Sequence, residues 1–453
     1  MQLYTTRMIK YTQFVITFLL ATIAIGANAQ SSSSLATTSS PYSMYGIGTI
    51  NPQLLPQSIG MGGIATAINK LSGYNNINPL NPASYGAINF TTIDAGTSSN
   101  ISFLSQQGPN GTVNATNYNF KLSHVAFAIP ISKHSAFSFG LLPYSEMGYN
   151  YKQVSGKGFG SNSPVDTNVA NYLYTGKGGI SKAYLGYGFG IGKHLLLGGN
   201  LSYLFGTLQQ YSSVEIPGLY GMLNSRVEQN NAVRGLNYDY GAQYTFDFTD
   251  TKHLTLGYSA STANNINGTQ TYIVSQYTYD NSGNENIAAD SVVSYKSPSA
   301  KIKLPSINHF GIAFQNDGHF LVGADYSIGK WSTLSVDGTN SGLQDSKTFN
   351  IGGQYTPDVN ALRNYFARAD YRLGFIYNDT YLKLNNTDIK QTAITIGLGL
   401  PLAPNNLSFY KINFSAEFGK QGTLENGLIK ENYINLHLAF TLNDKWFQRF
   451  KFQ

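Results

Sequence analysis

One feature constrains this chain more than any other: apolar and polar residues alternate strictly over strand length, again and again. No stretch after the first 30 residues approaches the roughly 18 consecutive apolar residues of a membrane-spanning helix. Leu236, Tyr238, Tyr240, Ala242, Tyr244 and Phe246 alternate with Asn237, Asp239, Gly241, Gln243, Thr245 and Asp247. Ile434, Leu436, Leu438, Phe440 and Leu442 alternate with Asn435, His437, Ala439 and Thr441. A strand has a period of two, so each such segment presents one apolar and one polar face. About 9 to 11 residues suffice for a tilted strand to cross a bilayer.

The segment from Ala367 to Tyr377 sharpens the argument, because Arg368, Asp370 and Arg372 alternate with Ala367, Ala369, Tyr371, Leu373 and Phe375. An Arg at the bilayer midplane on the lipid side costs roughly 2 to 4 kcal/mol. These three charges, with Asp239 and Asp247, are therefore expected to face a lumen, where opposite signs can pair. With 33 Tyr, 26 Phe, 47 Gly and only 11% charged residues, the composition suits such a barrel, although a large secreted β-sandwich or β-helix shares it. The connections decide between them. Short turns are expected at Ser132-Lys133-His134, Gly192-Lys193, Thr249-Asp250-Thr251, Asn316-Asp317-Gly318 and Ala403-Pro404-Asn405, with a longer one from Pro357 to Leu362. Between them fall long polar stretches: Gln106 to Thr116, Lys152 to Gly178, Gln209 to Arg234, Thr262 to Lys303, Ser332 to Ser346, Asn378 to Lys390 and Gln421 to Gly427. Short turns on one rim and long loops on the other describe an outer-membrane barrel with both termini periplasmic. A sandwich has no reason to sort its loops in this way.

The expected fold is all-β: a transmembrane antiparallel β-barrel of about 14 strands. Strand starts are expected near Asn89, Asn117, Ala136, Lys182, His194, Gly235, Lys252, Ile307, His319, Lys347, Tyr365, Gln391, Leu407 and Lys430. Residues 1–29 read as a signal peptide, with Arg7 and Lys10 before an apolar core and cleavage after Ala29. Residues 30–88 comprise a Ser-rich start and an aperiodic Gly/Asn/Pro-rich segment, residues 89–444 the barrel, and residues 445–453 a basic aromatic tail at the periplasmic interface.

The chain has no Cys, which excludes disulfides, thiolate metal sites and a lipoprotein anchor. A net charge of +6 is too small for this length to imply a nucleic-acid partner. Asp94-Ala95-Gly96-Thr97-Ser98 has the look of an aspartic-protease nucleus, but no second such segment exists. Gly186, Gly188, Gly190 and Gly192 repeat every two residues, as do Gly397 and Gly399. That spacing belongs to a strand's inner face, where Gly leaves lumen space or admits a plug backbone, and not to a nucleotide loop. The seven His show no metal-ligand spacing. No catalytic residue, metal or cofactor is expected.

Three N-terminal motifs carry a resemblance: Ser40-Pro41-Tyr42-Ser43-Met44-Tyr45-Gly46-Ile47-Gly48, Gly60-Met61-Gly62-Gly63, and Asn78-Pro79-Leu80-Asn81-Pro82-Ala83-Ser84-Tyr85. With Gly178-Gly179-Ile180 and Leu197-Gly198-Gly199-Asn200, the sequence resembles the FadL/TodX family of outer-membrane transporters for hydrophobic compounds, in particular its Bacteroidetes branch. The resemblance implies a 14-stranded barrel closed by an N-terminal hatch, with Gly60, Met61, Gly62, Gly63, Asn81, Pro82 and Ala83 as its motif residues. It also implies passive, TonB-independent passage of fatty acids or aromatic hydrocarbons, with a hydrophobic small molecule and outer-membrane lipid as partners. The alternative is a scaffold subunit of a secretion or surface-assembly complex, with a periplasmic or surface protein partner.

Overall fold

The computed structural model describes residues 40–444 apart from 72–73, 109–110, 157–167, 218–221, 281–284, 287–290, 341 and 403–407. The signal peptide, most of the Ser-rich start, the turn at Ala403-Pro404-Asn405 and the C-terminal tail lie outside the described residues.

Fourteen antiparallel strands close the wall. They are β1 (Thr91–Gly108), β2 (Gly111–Ser132), β3 (Ser135–Val154), β4 (Asn171–Ile191), β5 (Leu195–Glu215), β6 (Asn224–Asp247) and β7 (Lys252–Ser261). The circuit continues with β8 (Ile307–Asn316), β9 (Phe320–Gly329), β10 (Ser346–Tyr355), β11 (Asp370–Leu384), β12 (Thr387–Pro401), β13 (Ser408–Gln421) and β14 (Ile429–Asp444). β14 pairs with β1 from Ile429↔Gln106 to Asp444↔Thr91, which closes the barrel. Each strand of the circuit pairs with both neighbours over at least part of its length, as a strand protein that resides in a bilayer requires.

The two sides of the wall differ in height. β7 to β10 are 10 residues each, whereas β2 to β6 run 20 to 24. The tall side continues into an inserted hairpin, Asn265–Tyr277 with Ser291–Lys303, whose first arm pairs with the upper half of β6. Much of what the sequence offers as loop is therefore strand. Gln106 to Gly108 and Gly111 to Thr116, the ends of Lys152 to Gly178 and Gln209 to Arg234, and most of Thr262 to Lys303 carry ladder pairing. Asn378 to Lys390 is likewise strand apart from the Asn385-Asn386 turn, where both residues have positive φ, as a two-residue hairpin turn requires. Outside lipid there is no apolar medium for one face to match, so the alternation fades while the backbone ladder continues. At the opposite rim the connection from Tyr355 to Asp370 is longer than Pro357 to Leu362.

Outward positions carry the apolar band. Tyr238, Tyr240, Tyr244 and Phe246 of β6 are exposed while Asp239, Asn237 and Gln243 are buried, and the same division holds on β12 for Ile394, Ile396 and Leu398. Residues 40–88 pack against the inner face of the wall, on which the site is built.

Candidate functional site

The lumen is layered. Near the short-turn rim, Asp370 is fully buried between Arg372 (Nη2–Oδ2 2.9 Å) and Lys411 (Nζ–Oδ2 2.7 Å), and Arg372 also donates to Gln354 and Asn413. Beside them Asp94 accepts from Thr441 Oγ1 (2.6 Å) and lies 2.6 Å from His124 Nε2. A cavity of about 20 Å³ lined by Gln57, Asn76, Arg372, Lys411 and Asn413 adjoins this cluster, room for a single water.

Above the cluster the N-terminal segment meets the wall through a belt of glycines. β4 to β12 each contribute one: Gly188, Gly198 and Gly241 are direct cross-strand partners, as are Gly257 and Gly311, and Gly323, Gly352 and Gly374, with Gly397 completing the run. A Cβ on Gly188 or Gly198 would overlap the Pro82 carbonyl, one on Gly257 the Thr66 carbonyl, and one on Gly352 or Gly374 the backbone of Met61 and Gly62. Between the glycines stand polar side chains that bind the same backbone. Asp325 accepts from Ala65 N, Thr66 N and Thr66 Oγ1, each at 2.8 Å, and Thr395 Oγ1 accepts from Gly62 N (2.8 Å). Gln243 Nε2 donates to Thr66 O (3.0 Å). Glycine in a strand marks close approach of another backbone, and here the segment approaches all nine strands, through its backbone at seven and through the Asn81 and Ile64 side chains at Gly241 and Gly323.

The motif residues sit in this belt. Gly60 and Met61 abut Gly397 and Gly352, and Gly62 and Gly63 turn the chain with φ of +71° and +79°, a region side chains other than Gly occupy at a cost. Asn81 caps the Pro82–Ala87 turn through Ala83 N and donates from Nδ2 to Thr66 O (2.6 Å), tying the two halves of the segment together. Gly186, Gly188 and Gly190 face inward, whereas Gly192 lies in the β4–β5 turn with φ +66°. Gly399 lies against Asp370 and Arg372.

The expected lumen charges divide. Asp370, Arg372 and Asp239 are buried inside, with Asp239 held by Lys182 Nζ (2.7 Å) and Ser261 Oγ (2.5 Å). Asp247 stands at the rim, where β6 ends, beside His253 and His194. Arg368 precedes β11 altogether. It lies in the short Phe366–Arg368 helical turn with its guanidinium over the Tyr365 ring, because the connection from β10 reaches further than the alternation suggests. Sequence reasoning missed Lys182, Lys411, Asp325 and His124. Each is a single polar residue at an inward position, and only the period-two parity of its strand could have marked it.

Over the belt and the Lys182–Asp239 pair lies an apolar layer that includes Ile180, Leu204, Val233 and Leu382 from the wall and Trp331 from the loop after β9, with Tyr42 and Ile47 of the N-terminal segment inserted among them. Here the wall is interrupted. β2 pairs with β3 only between Val125↔Leu141 and Ser132↔Ser135. Above that point Pro143 brings a register shift and has no amide to donate. The freed edge of β3 is taken from inside: Thr49 pairs with Glu146 and Ile50 with Ser145, Asn51 N donates to Tyr144 O (2.9 Å), and Ser40 N donates to Gly148 O (3.2 Å). Across the gap Glu146 binds Asn119 Nδ2 (2.6 Å) and Lys121 of β2.

A closed 14-stranded barrel with an apolar outer band and an occupied lumen defines a transmembrane barrel of the outer-membrane type. Among the solved structures that share the fold are three transporters or transporter homologues. The Pseudomonas putida toluene transporter TodX is 14% identical with a TM-score of 0.53, over 88% of this chain and 99% of that one. The Ralstonia pickettii toluene transporter TbuX is 15% identical at 0.53, over 86% and 98%. A Pseudomonas aeruginosa FadL homologue is 12% identical at 0.55, over 88% and 100%. No curated protein matches the sequence. The BamG family model matches residues 8–453, and the chain belongs to the BamG family.

Proposed function

We propose that the protein is a gated, passive, TonB-independent conduit for hydrophobic small molecules such as fatty acids or aromatic hydrocarbons. Its short-turn rim and both termini lie on the periplasmic side, and residues 40–88 act as the hatch. The observation that carries this reading is the seam between β2 and β3. A barrel with only a structural duty has no use for a wall whose pairing stops half way. This one opens beside an apolar lumen layer and is closed by the N-terminal segment. Withdrawal of Thr49–Ile50 from β3 would join that layer to the membrane. Because the chain has no native Cys, Thr49→Cys with Glu146→Cys, a cross-strand pair, can lock the seam. In proteoliposomes the oxidised lock is expected to reduce flux of radiolabelled oleate or toluene at least tenfold, with recovery on reduction. Flux indifferent to the lock overturns the seam as the route.

A second reading, a scaffold subunit of a secretion or surface-assembly complex, draws support from a different observation. The tall side of the wall ends in the inserted hairpin. Val293 and Tyr295 of its outer arm are 47% and 57% exposed, and among the described residues Ser291–Ala300 pairs only with the inner arm. Free strand edges are recognised by strand addition. Native mass spectrometry with lipid extraction separates the readings: a co-purified hydrophobic molecule favours the conduit, and an empty barrel carrying a stoichiometric protein favours the scaffold.

A further inference from the structure

The outer wall across β11 to β14 and β1 carries a groove of about 470 Å³. Its floor and walls are apolar, with Phe103 of β1, Phe375 of β11, Ile394 of β12, Phe418 of β13 and Ile434 of β14 around it, and its upper rim carries Lys420. The outward parity of these strands places the rim at the top of the apolar band, since on β13 the outward series runs Tyr410, Ile412, Phe414, Ala416, Phe418 and then Lys420. One outward position beyond Lys420, which lies opposite Thr392 and Asn432, the neighbouring strands are basic. Lys347 of β10, Lys390 of β12 and Lys430 of β14 all take outward positions, with Asp379 of β11 the acidic residue between Lys347 and Lys390 in the register.

We infer that this groove binds one lipid of the outer leaflet that carries phosphate on its headgroup. An acyl chain lies along Phe375, Ile394 and Phe418, and the phosphate meets the Lys420–Lys430 side of the collar. The bilayer is the medium this face contacts, so its occupant is a lipid. Four cations against two carboxylates, Asp379 and Asp388 beside Lys390, leave a positive rim that selects an anionic headgroup over a zwitterionic one, and long Lys stems reach from an apolar wall to headgroup level. The inference rests on the long-loop rim facing outward and is independent of what crosses the lumen.

The test uses the full mature chain in detergent, with bis-phosphorylated lipid A and its enzymatically dephosphorylated form as probes and native mass spectrometry as readout. The expected result is one retained lipid A per barrel, with affinity at least tenfold lower for the dephosphorylated form. Lys420→Gln with Lys430→Gln is expected to give a similar loss, whereas Lys301→Gln with Lys303→Gln, on the distant hairpin, leaves binding unchanged. Thr392→Trp, which fills the groove from outside, is expected to weaken both probes, and the heat-modifiable gel shift of each variant reports that its barrel is intact. Equal binding of the two probes, or retention undiminished in the Lys420/Lys430 variant, overturns the inference. Labelling of Lys420→Cys on intact cells by an impermeant maleimide checks the orientation separately.

Discussion

Asp325 holds more of the N-terminal segment than any other wall residue, since its Oδ2 accepts from two backbone amides and one hydroxyl. Hydrogen bonds to a charged group contribute roughly 1.5 to 3 kcal/mol each, though not additively. Asp325→Ala is expected to loosen residues 60–88 without unfolding the barrel. Trypsin cleavage at the exposed Lys70 then accelerates at least tenfold while the heat-modifiable gel shift persists, and an unchanged rate would remove Asp325 from this role. Gly374→Ala acts by crowding: its Cβ has no room against Met61 and Gly62, and overpacking of this kind costs about 1 to 3 kcal/mol. Nearer the rim, Asp370→Asn leaves Arg372 and Lys411 facing each other, whereas Arg372→Met leaves Asp370 with Lys411. Removing one member of a buried pair costs roughly 3 to 5 kcal/mol, so Asp370→Asn is expected to lower the urea midpoint more than Arg372→Met. The reverse order would show that the cations are stabilised by their other partners.

At the scale of elements, the N-terminal segment serves β3 as a substitute strand. Deleting residues 41–55 is expected to raise hydrogen exchange across Tyr144–Gly148 while the amides of Asp239–Asp247 stay protected, because the latter pair within the wall. Equal protection in the deletion variant would mean that β2 closes over the gap by itself. The Glu146–Lys121 bridge is partly exposed, and exposed pairs contribute at most about 1 kcal/mol. Glu146→Gln is therefore expected to change permeability more than stability, as read by flux beside urea denaturation.

Legibility followed the medium. Where strands face lipid, as in Leu236–Asp247 and Ile434–Leu442, alternation disclosed both the strand and its inward face. Where they rise beyond lipid, as in Asn171–Gly178 and Asn224–Arg234, the ladder persists without a hydrophobic pattern, and the sequence reads as loop. The motif glycines were visible as a pattern, and so were two of their counterparts, Gly188 and Gly397, which stand in local period-two glycine runs; the ring they belong to was not, because a ring formed by closure has no spacing along the chain. Arg368 shows the opposite error. Alternation ran on through a turn and suggested a strand start near Tyr365, five residues before β11 begins at Asp370.

For the whole molecule the seal is the measurable property. Wild-type protein in planar bilayers is expected to show no steady ionic steps if the N-terminal segment, which contacts nine strands at the glycine belt, acts as the proposed hatch, and a variant lacking residues 41–88 is then expected to conduct at porin-like levels if the wall folds without it. Steady conductance by the intact chain would remove the sealing role.

That belt also bears on biogenesis. Contact between the N-terminal segment and nine strands falls at positions from Gly188 to Gly397, so the first part of the chain to be exported waits for most of the remainder before its partners exist. The last pairing, β14 with β1, joins residues more than 300 positions apart, and such distant closure is slow. A mandrel held in place while the sheet curls around it would set both the curvature and the register of the circuit. Substitutions in the belt should therefore show in the yield of inserted protein and in its residence with periplasmic chaperones, before they show in the finished barrel.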